Sequence, residues 1–249
     1  MAAVAVGSGQ AASAYCVLNV AKAGDNIVAS TDLYGGTVNL FKNQLRLQGV
    51  EVRFADPADP KNFEKLTDDK TRAYYGESCP NPYLRVFPIK EVADIGRKKG
   101  IPLFIDNTAS PVICKPLAHG AAVVMHSLTK YIGGHGTSIG GIIVDGGNFD
   151  WTKDRKRQPL MNEPDQSYNG AIWADAVPQL TGANIPFAIR ARVVLLRDLG
   201  APLSPFNAFQ IIQGLETVAL RMKQHCVNAE KVVAFLETQK KVTNVIYPT

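Results

Sequence analysis

The chain has 249 residues, 46% of them hydrophobic and 20% charged, which is enough for one large globular domain, alone or with a fragment of another. Its net charge of +5 comes from scattered basic residues, and the one dense run, residues 153–157, lacks the features of nucleic-acid binding and predicts a solvated loop. The four cysteines are widely spaced, which argues against a metal site and a disulfide framework. No apolar stretch approaches the length of a membrane span, about 20 residues. Both features favour a cytoplasmic protein.

Strand and helix patterns alternate along the first part of the chain. A helix opens at Gly7-Ser8-Gly9-Gln10, and further helices are predicted at 37–48 and 89–99. Strands are predicted at 27–30, 50–54, 71–76, 101–105, 121–125 and 139–144. The runs at 101–105 and 121–125 are continuously apolar, which is typical of buried parallel strands. This alternation predicts an α/β fold, a mostly parallel sheet with helices on both faces.

The pattern changes after residue 149. Residues 151–170 are polar and interrupted by prolines, which predicts an extended loop. Long helical patterns follow at 185–199 and from 205 to about 239. Residues 242–247 have the pattern of a strand.

Lys130 stands in the most informative motif of the chain. It ends His126-Ser127-Leu128-Thr129-Lys130, so two hydroxyl groups lie just before an amine, and several glycines follow. An amine beside phosphate-binding hydroxyls and flexible backbone is the layout that holds an aldehyde cofactor as a Schiff base.

Other polar residues follow predicted strands, at the edge where open α/β sheets bind ligands. Asp106 comes directly after the strand at 101–105, and residues 77–82 follow the strand at 71–76. Gly9 and Gln10 open a helix, and a helix N-terminus preceded by glycines is a ready anion site.

Together these residues form the set that pyridoxal phosphate (PLP) requires. They supply a phosphate cradle, an amine and a carboxylate: Gly9, Gln10, Ser127 and Thr129, then Lys130, then Asp106. The carboxylate keeps the pyridine nitrogen of the cofactor protonated, so that the ring can accept electrons. The sequence therefore predicts PLP as the cofactor.

Each residue alone also has a structural interpretation. Asp106 suits an Asx turn at a strand end, Asn81 before a proline is a common turn former, and Tyr34 suits a loop. His126 and His135 have no partner at metal-ligand spacing, so we interpret both as structural and predict no metal site.

A dinucleotide-binding site is the main alternative. Residues 7–12 match Gly-x-Gly-x-x-Ala, and Asp32 follows at a suitable distance after a predicted strand. That interpretation leaves Asp106 and Lys130 unexplained. A phosphate-binding P-loop fits less well, since the hydroxyl precedes Lys130 and no Gly-x4-Gly-Lys is present.

The chain resembles the Cys/Met-metabolism family of PLP enzymes, the cystathionine γ-synthase-like group of fold type I. Within it, the chain is most similar to the O-acetylhomoserine sulfhydrylase subgroup. The stretches that carry the resemblance are 7–12 (GSGQAA), 29–37 (ASTDLYGGT), 77–82 (ESCPNP), 105–108 (IDNT), 126–136 (HSLTKYIGGHG), 203–209 (LSPFNAF) and 214–217 (GLET).

The resemblance implies a role for each matching residue. Lys130 would bind the cofactor covalently and move protons, Asp106 would pair with the ring nitrogen, and Tyr34 would stack on the ring, with Lys130 and Tyr34 as the catalytic residues. The phosphate would be held by Gly9, Gln10, Ser127 and Thr129, and the ring hydroxyl contacted by Asn81. Gln10 stands where many relatives have Met, and Gly36 where methionine γ-lyases usually have Cys, which makes that lyase activity less expected.

The resemblance also implies a domain arrangement. Residues 1–240 would be the PLP-binding large domain without the N-terminal arm of the family, and residues 241–249 the start of a truncated C-terminal domain. The family's arm carries a Tyr and an Arg that reach a neighbouring subunit's phosphate, and its C-terminal domain carries the Arg that binds the substrate carboxylate.

The activity implied is γ-replacement on O-acetylhomoserine by sulfide or a thiol, which gives homocysteine in methionine biosynthesis. A cofactor-binding remnant without turnover, and a cystathionine γ-synthase or γ-lyase activity, are the alternatives. The implied partners are small-molecule substrates and further copies of the chain, as a homotetramer, without nucleic acid or membrane.

Overall fold

A seven-stranded sheet forms the centre of the computed structural model, which describes residues 1–248. The strands are β1 (Ala2–Val6), β2 (Asn26–Ser30), β3 (Glu51–Ala55), β4 (Thr71–Glu77), β5 (Leu103–Asp106), β6 (Val123–Ser127) and β7 (Gly141–Asp145). The helices are α1 (Gly9–Leu18), α2 (Gly35–Asn39), α3 (Lys61–Lys65), α4 (Ile89–Lys98), α5 (Pro159–Asn162), α6 (Trp173–Thr181), α7 (Pro186–Arg190), α8 (Arg197–Leu199) and α9 (Pro205–Glu237). Wider π-helical turns continue α2 over Leu40–Leu45 and join α7 to α8 over Ala191–Leu196.

The strand order is β1-β7-β6-β5-β4-β2-β3. β6, β5, β4, β2 and β3 are parallel neighbours, whereas β7 runs antiparallel to both β6 and β1. The prediction of a mostly parallel α/β sheet is confirmed. The reversal of β7 was not predicted, because an apolar run does not state the direction of its strand.

Both faces of the sheet are buried. Tyr74 and Tyr75 are neighbours in β4, and their side chains enter different hydrophobic clusters because successive residues of a strand point to opposite faces. Tyr75 packs edge-on against Phe41, with ring centroids 4.9 Å apart, and Tyr74 packs against Phe63 at 5.5 Å. Helices on both faces explain why these strands are apolar throughout.

The segment 151–170 differs from the extended loop that was predicted. It consists of turns and short helical pieces, and its first residue, Trp151, is 1% exposed and stacks on Phe187 with centroids 5.5 Å apart. Gln158 is also buried and donates to the carbonyl oxygens of Arg72 and Gly100 at 2.9 and 3.0 Å. Buried polar groups need such partners, so side-chain hydrogen bonds and aromatic packing organise a segment that lacks periodicity.

The two ends of the chain differ from the sequence prediction: one strand was missed and one predicted strand is wrong. The apolar start of the chain forms β1, which pairs with β7, although no strand was predicted there. Residues 242–248 form no strand, and Thr249 lies outside the described residues. A strand requires a neighbour with which to exchange backbone hydrogen bonds, and the sequence does not show where that neighbour is.

Helix α9 runs over 33 residues and packs along only part of its length. Its buried residues, Ile211, Gly214, Val218 and Met222, are spaced along one face, and the apolar ones pack on Leu128 and Ile132 next to the Lys130 motif. No helix within residues 1–248 is both long and apolar enough to cross a membrane.

Candidate functional site

A cavity of about 900 Å³ opens at the carboxyl ends of β4, β5 and β6. Every site residue predicted from the sequence lines it: Gly9, Gln10, Tyr34, Asn81, Asp106, Ser127, Thr129 and Lys130. The topology explains this convergence, since β6, β5 and β4 are adjacent parallel strands whose carboxyl ends meet at one edge. His126 and His135, interpreted as structural, are not among the lining residues.

The start of α1 forms one wall of the cavity. The Ser8 hydroxyl accepts the N–H of Ala11 at 3.0 Å, and Gly9 and Gln10, at the first helical positions, line the cavity. The first N–H groups of a helix have no partner within it, so these amides are suited to an anion. Gly9 is required by the packing, because a Cβ there would lie 2.6 Å from the Cβ of Ser127.

Asp106 is held by neutral donors. Its Oδ1 accepts the backbone N–H and the hydroxyl of Thr108 at 2.9 and 2.5 Å, and the Thr108 oxygen in turn accepts the N–H of Ser127 at 2.8 Å. This chain of hydrogen bonds joins the end of β5 to the Ser127-Leu128-Thr129-Lys130 motif. Thr108 was given no role in the sequence analysis. A signal was present, because an Asp side chain that accepts the N–H of the second following residue forms an Asx turn.

Glu77, at the end of β4, is a second carboxyl group beside Asp106. Burial raises the pKa of both groups, and the negative charge of Asp106 raises the pKa of Glu77 further. Hydrogen bonds from Thr108 work in the opposite direction and lower the pKa of Asp106. The Thr108 hydrogen bonds therefore favour ionised Asp106, whereas burial and the charge of Asp106 favour protonated Glu77.

The Tyr34 loop faces this pair of carboxyl groups. The backbone N–H of Tyr34 donates to Oε1 of Glu77 at 2.6 Å, and Nε2 of Gln10 donates to the carbonyl of Gly36 at 2.9 Å. The Tyr34 ring, 47% exposed, lies so close to Gly36 that a Cβ there would be 3.1 Å from Cζ and closer still to the ring edge. A cysteine at position 36 would therefore displace the ring.

Lys130 is exposed to the cavity, and among the described residues its Nζ has no hydrogen-bond or ion-pair partner. Its backbone is fixed instead: the N–H donates to the Ser127 carbonyl at 3.3 Å and the carbonyl accepts the N–H of Gly134 at 2.7 Å. Thr129 exchanges two hydrogen bonds with the backbone of Gly140, at 3.1 and 3.3 Å. A fixed backbone with a free amine suits a covalent attachment point.

Arg221 and His225 of α9 also line the cavity, and the sequence gave no signal for either. The guanidinium of Arg221 donates to the carbonyls of Tyr131, Ile132 and Gly214 at 2.7, 3.2 and 2.8 Å. The Tyr131 ring lies 5.3 Å from the His225 ring. Arg221 therefore holds the turn after Lys130 onto α9.

The dinucleotide alternative does not fit this geometry. β1 and β2, which flank α1, lie in distant positions of the sheet, whereas a dinucleotide-binding unit has them adjacent. Asp32 is buried and paired with Arg85, whose Nε lies 2.8 Å from Oδ2. No group of three His, Cys, Asp or Glu side chains within residues 1–248 is arranged to hold a metal ion.

PLP fits the residues that are present. The cavity offers amides at a helix start for a phosphate, a lysine amine without a partner, and a carboxylate that has one oxygen engaged by Thr108. An aromatic side chain, Tyr34, stands at the same cavity. These groups match the phosphate, the aldehyde, the ring nitrogen and the ring face of the cofactor.

Known proteins resemble this chain in sequence and in fold. The chain is 48% identical to an O-acetyl-L-homoserine sulfhydrylase of Leptospira meyeri and 43% identical to a homocysteine synthase of Schizosaccharomyces pombe, over 100% and 99% of its length. A crystal structure from Campylobacter jejuni that holds pyridoxyl-lysine monophosphate superposes with a TM-score of 0.90 at 39% identity, over 99% of this chain and 60% of that one.

The chain spans 57% of the length of both sulfhydrylase-type relatives. An O-acetylhomoserine sulfhydrylase structure from Wolinella succinogenes also matches, with a TM-score of 0.79 and 32% identity over 96% of this chain and 64% of that one. These structures share the fold type I architecture that the sequence predicted. Residues 1–249 match a single family throughout, and the chain belongs to the Cys/Met metabolism family of PLP-dependent enzymes.

Proposed function

We propose that this chain binds PLP in the cavity at the end of β4–β6 and carries the cofactor chemistry of a γ-replacement reaction. The substrate would be O-acetylhomoserine, sulfide or a small thiol would replace its acetate, and homocysteine or a relative would be the product. The observation that carries the proposal is the convergence of every predicted cofactor residue on one cavity. The names of the relatives supply the substrate and the reaction.

The proposed division of roles follows the geometry. The start of α1, with Gly9 and Gln10, and the hydroxyls of Ser127 and Thr129 hold the phosphate, because amides at a helix start and hydroxyls bind anions. Asp106 holds a proton at the ring nitrogen, since its Thr108 bonds favour the ionised form. Tyr34 covers the ring, and Asn81 contacts the ring hydroxyl.

Lys130 is the proposed proton carrier. When bound, PLP supplies an electron sink for the charge that develops at the substrate Cα. Within residues 1–248, Lys130 is the only lysine that lines the cavity, and its Nζ takes the Cα proton and moves protons at Cβ. Acetate then leaves from Cγ, and the sulfur nucleophile forms a bond to that carbon.

A Lys130→Ala variant tests the assignment. We expect the protein as isolated with PLP to show a visible absorption band that depends on a covalent lysine link, and the variant to lose that band. Lys156→Ala is the control, because Lys156 is exposed in the basic run away from the cavity. An unchanged band in Lys130→Ala would refute the role of this lysine.

Cofactor binding without turnover is the second candidate function. Arg221 is the only arginine that lines the cavity within the described residues, and three backbone carbonyls already occupy its guanidinium. No lining arginine is thus left for a substrate carboxylate. Turnover of O-acetylhomoserine and sulfide by the purified chain would refute this candidate, whereas a lysine-linked band without turnover would support it.

A γ-lyase or cystathionine-forming activity is the third. The lyase receives less support, because Gly36 allows the Tyr34 ring to occupy the space that a cysteine side chain would need. Acetate release should be compared with sulfide and with cysteine as the nucleophile, beside a lyase assay on methionine. A reaction that is faster with cysteine as the nucleophile, or faster in the lyase assay on methionine, than the reaction with sulfide would favour this alternative.

We also infer a homo-oligomer in the cytoplasm, with residues 1–240 as the large domain and a further domain beginning at 241. Helix α9 supports the oligomer, because Phe209, Leu220 and Phe235 on it are 58%, 73% and 62% exposed. Large apolar side chains grouped on one helix are typical of contact surfaces. Light scattering of the purified protein tests the oligomer.

A further inference from the structure

Glu77 is the least expected group of the cavity. It ends β4 and lies directly beside Asp106 in the parallel register of β4 and β5, so both side chains point to the same face of the sheet. It is 6% exposed, and none of the proposed roles in cofactor binding uses it. A buried carboxyl group next to another carboxyl group is costly to keep, which indicates a function for it.

The contacts of Glu77 are to backbone, not to a cation. Oε1 accepts the N–H of Tyr34 at 2.6 Å, and the Glu77 side chain lines the same cavity as the Tyr34 ring. Glu77 and Tyr34 lie 43 positions apart in the chain. The carboxyl group of Glu77 therefore joins the end of β4 to the loop that would cover the cofactor ring.

We propose that Glu77 is a positioning residue, which ties the Tyr34 loop to the end of β4 and so fixes the side chain that would cover the cofactor ring. This inference rests on the proposed cofactor site. The positioning depends on the acceptor oxygen of Glu77 and not on a negative charge.

The neighbouring charges support an effect of the acceptor oxygen. The titratable groups whose charges interact with that of Glu77 include Asp106 of β5, Tyr75 of β4 and Cys79 of the following loop. None of these is a cation, and burial together with the Asp106 charge raises the pKa of Glu77 well above its ordinary range. A protonated carboxyl group still accepts a backbone N–H through its carbonyl oxygen, and the amide oxygen of glutamine can do the same.

The test compares Glu77→Gln with Glu77→Met. Both variants remove the ionisable group at nearly the same size, but only Gln retains an acceptor. We expect Glu77→Gln to bind PLP within about threefold of the wild type, and Glu77→Met to bind it at least about tenfold more weakly, because a buried N–H loses its partner. Absorbance titration with PLP measures the dissociation constants.

Two further readouts separate positioning from a general structural effect. The visible circular dichroism of the bound cofactor reports on the groups around the ring, and we expect it to change in Glu77→Met and not in Glu77→Gln. In a Tyr34→Ala background, Glu77→Met should weaken binding by less than about twofold more, since Glu77 acts on the cofactor through the position of the Tyr34 ring, which that background already lacks. Glu163→Met is the control, because Glu163 is 61% exposed in a surface ion pair with Lys22.

The outcomes distinguish the two levels of the proposal. A wild-type protein without a lysine-linked band would refute the proposed function and this role with it. The positioning role alone would be refuted if the wild type shows a normal band and Glu77→Met has the same PLP affinity and dichroism as the wild type. Equal losses of affinity in the Gln and Met variants would also refute it. If Glu77→Met does not fold, Glu77→Asp replaces it, because it withdraws the carboxyl group by one methylene, and the same weakening is expected.

Discussion

Two carboxylates at the carboxyl edge of the sheet, Asp32 after β2 and Asp106 at the end of β5, have opposite surroundings. Asp32 is buried against a cation, with Nη2 of Arg85 at 2.7 Å, and Arg85 also contacts Asp56 at 2.9 Å. Asp106 receives only the neutral donors of Thr108 and faces the cavity. The charge of an acid that pairs with a cation of the protein is already compensated and stabilises the fold. The charge of an acid that is held by neutral donors is still available for a ligand.

Of the substitutions that test this comparison, Asp106→Asn is expected to weaken PLP binding the most. The amide of Asn cannot hold a proton at the ring nitrogen, so a charge-assisted hydrogen bond to the cofactor is lost. We expect the dissociation constant of PLP to rise about 10- to 100-fold. Absorbance titration at neutral pH measures it, and binding equal to that of the wild type would contradict the pairing.

Thr108→Val is expected to act through the same carboxylate and to be visible in the pH dependence. The hydroxyl of Thr108 stabilises ionised Asp106, so its removal raises the pKa of Asp106. Because the ionised form binds the cofactor, the pH below which affinity falls should move to a higher value. Thr108→Ser retains the hydroxyl and serves as the control, and a shift toward lower pH would contradict the assignment.

Gly36→Cys is expected to weaken PLP binding by a smaller factor. The added side chain would meet the ring of Tyr34 and force it to move. We expect a loss of about 3- to 10-fold in affinity, which corresponds to moderate overpacking. Gly35→Cys is the matched control, since a Cβ at Gly35 meets no atom within 4 Å. Equal effects of the two substitutions would show that the Tyr34 ring is not confined by Gly36.

Arg85→Met should leave the cofactor affinity unchanged and lower only the stability. It removes the cation beside buried Asp32, and we expect the free energy of unfolding to fall by about 1–3 kcal/mol. Thermal unfolding of the protein without added PLP measures this. A loss of PLP affinity without a loss of stability would show that the region of Asp32 belongs to the cofactor site after all.

Local patterns in the sequence were sufficient for the architecture and for the cofactor residues at strand and helix ends, whereas the roles of Tyr34 and Asn81 were implied only by the family resemblance. Alternating apolar runs and helical periods predict a parallel α/β sheet, because each pattern reflects which faces of an element are buried. The predicted site residues follow strands or open a helix, and parallel strands present these ends at one edge. Asp106 and Lys130 could therefore be predicted to lie at one site without knowledge of any contact.

Contacts between residues distant in the chain were decided only by the tertiary structure. The bond between Glu77 and the Tyr34 loop, the ion pair of Asp32 with Arg85 and the burial of Trp151 depend on which strands and loops become neighbours. The antiparallel direction of β7 has the same origin, since strand pairing is a long-range interaction. Sequence periodicity indicates that a face is buried, but it does not indicate which partner covers that face. That partner determines which carboxylate remains available for a ligand.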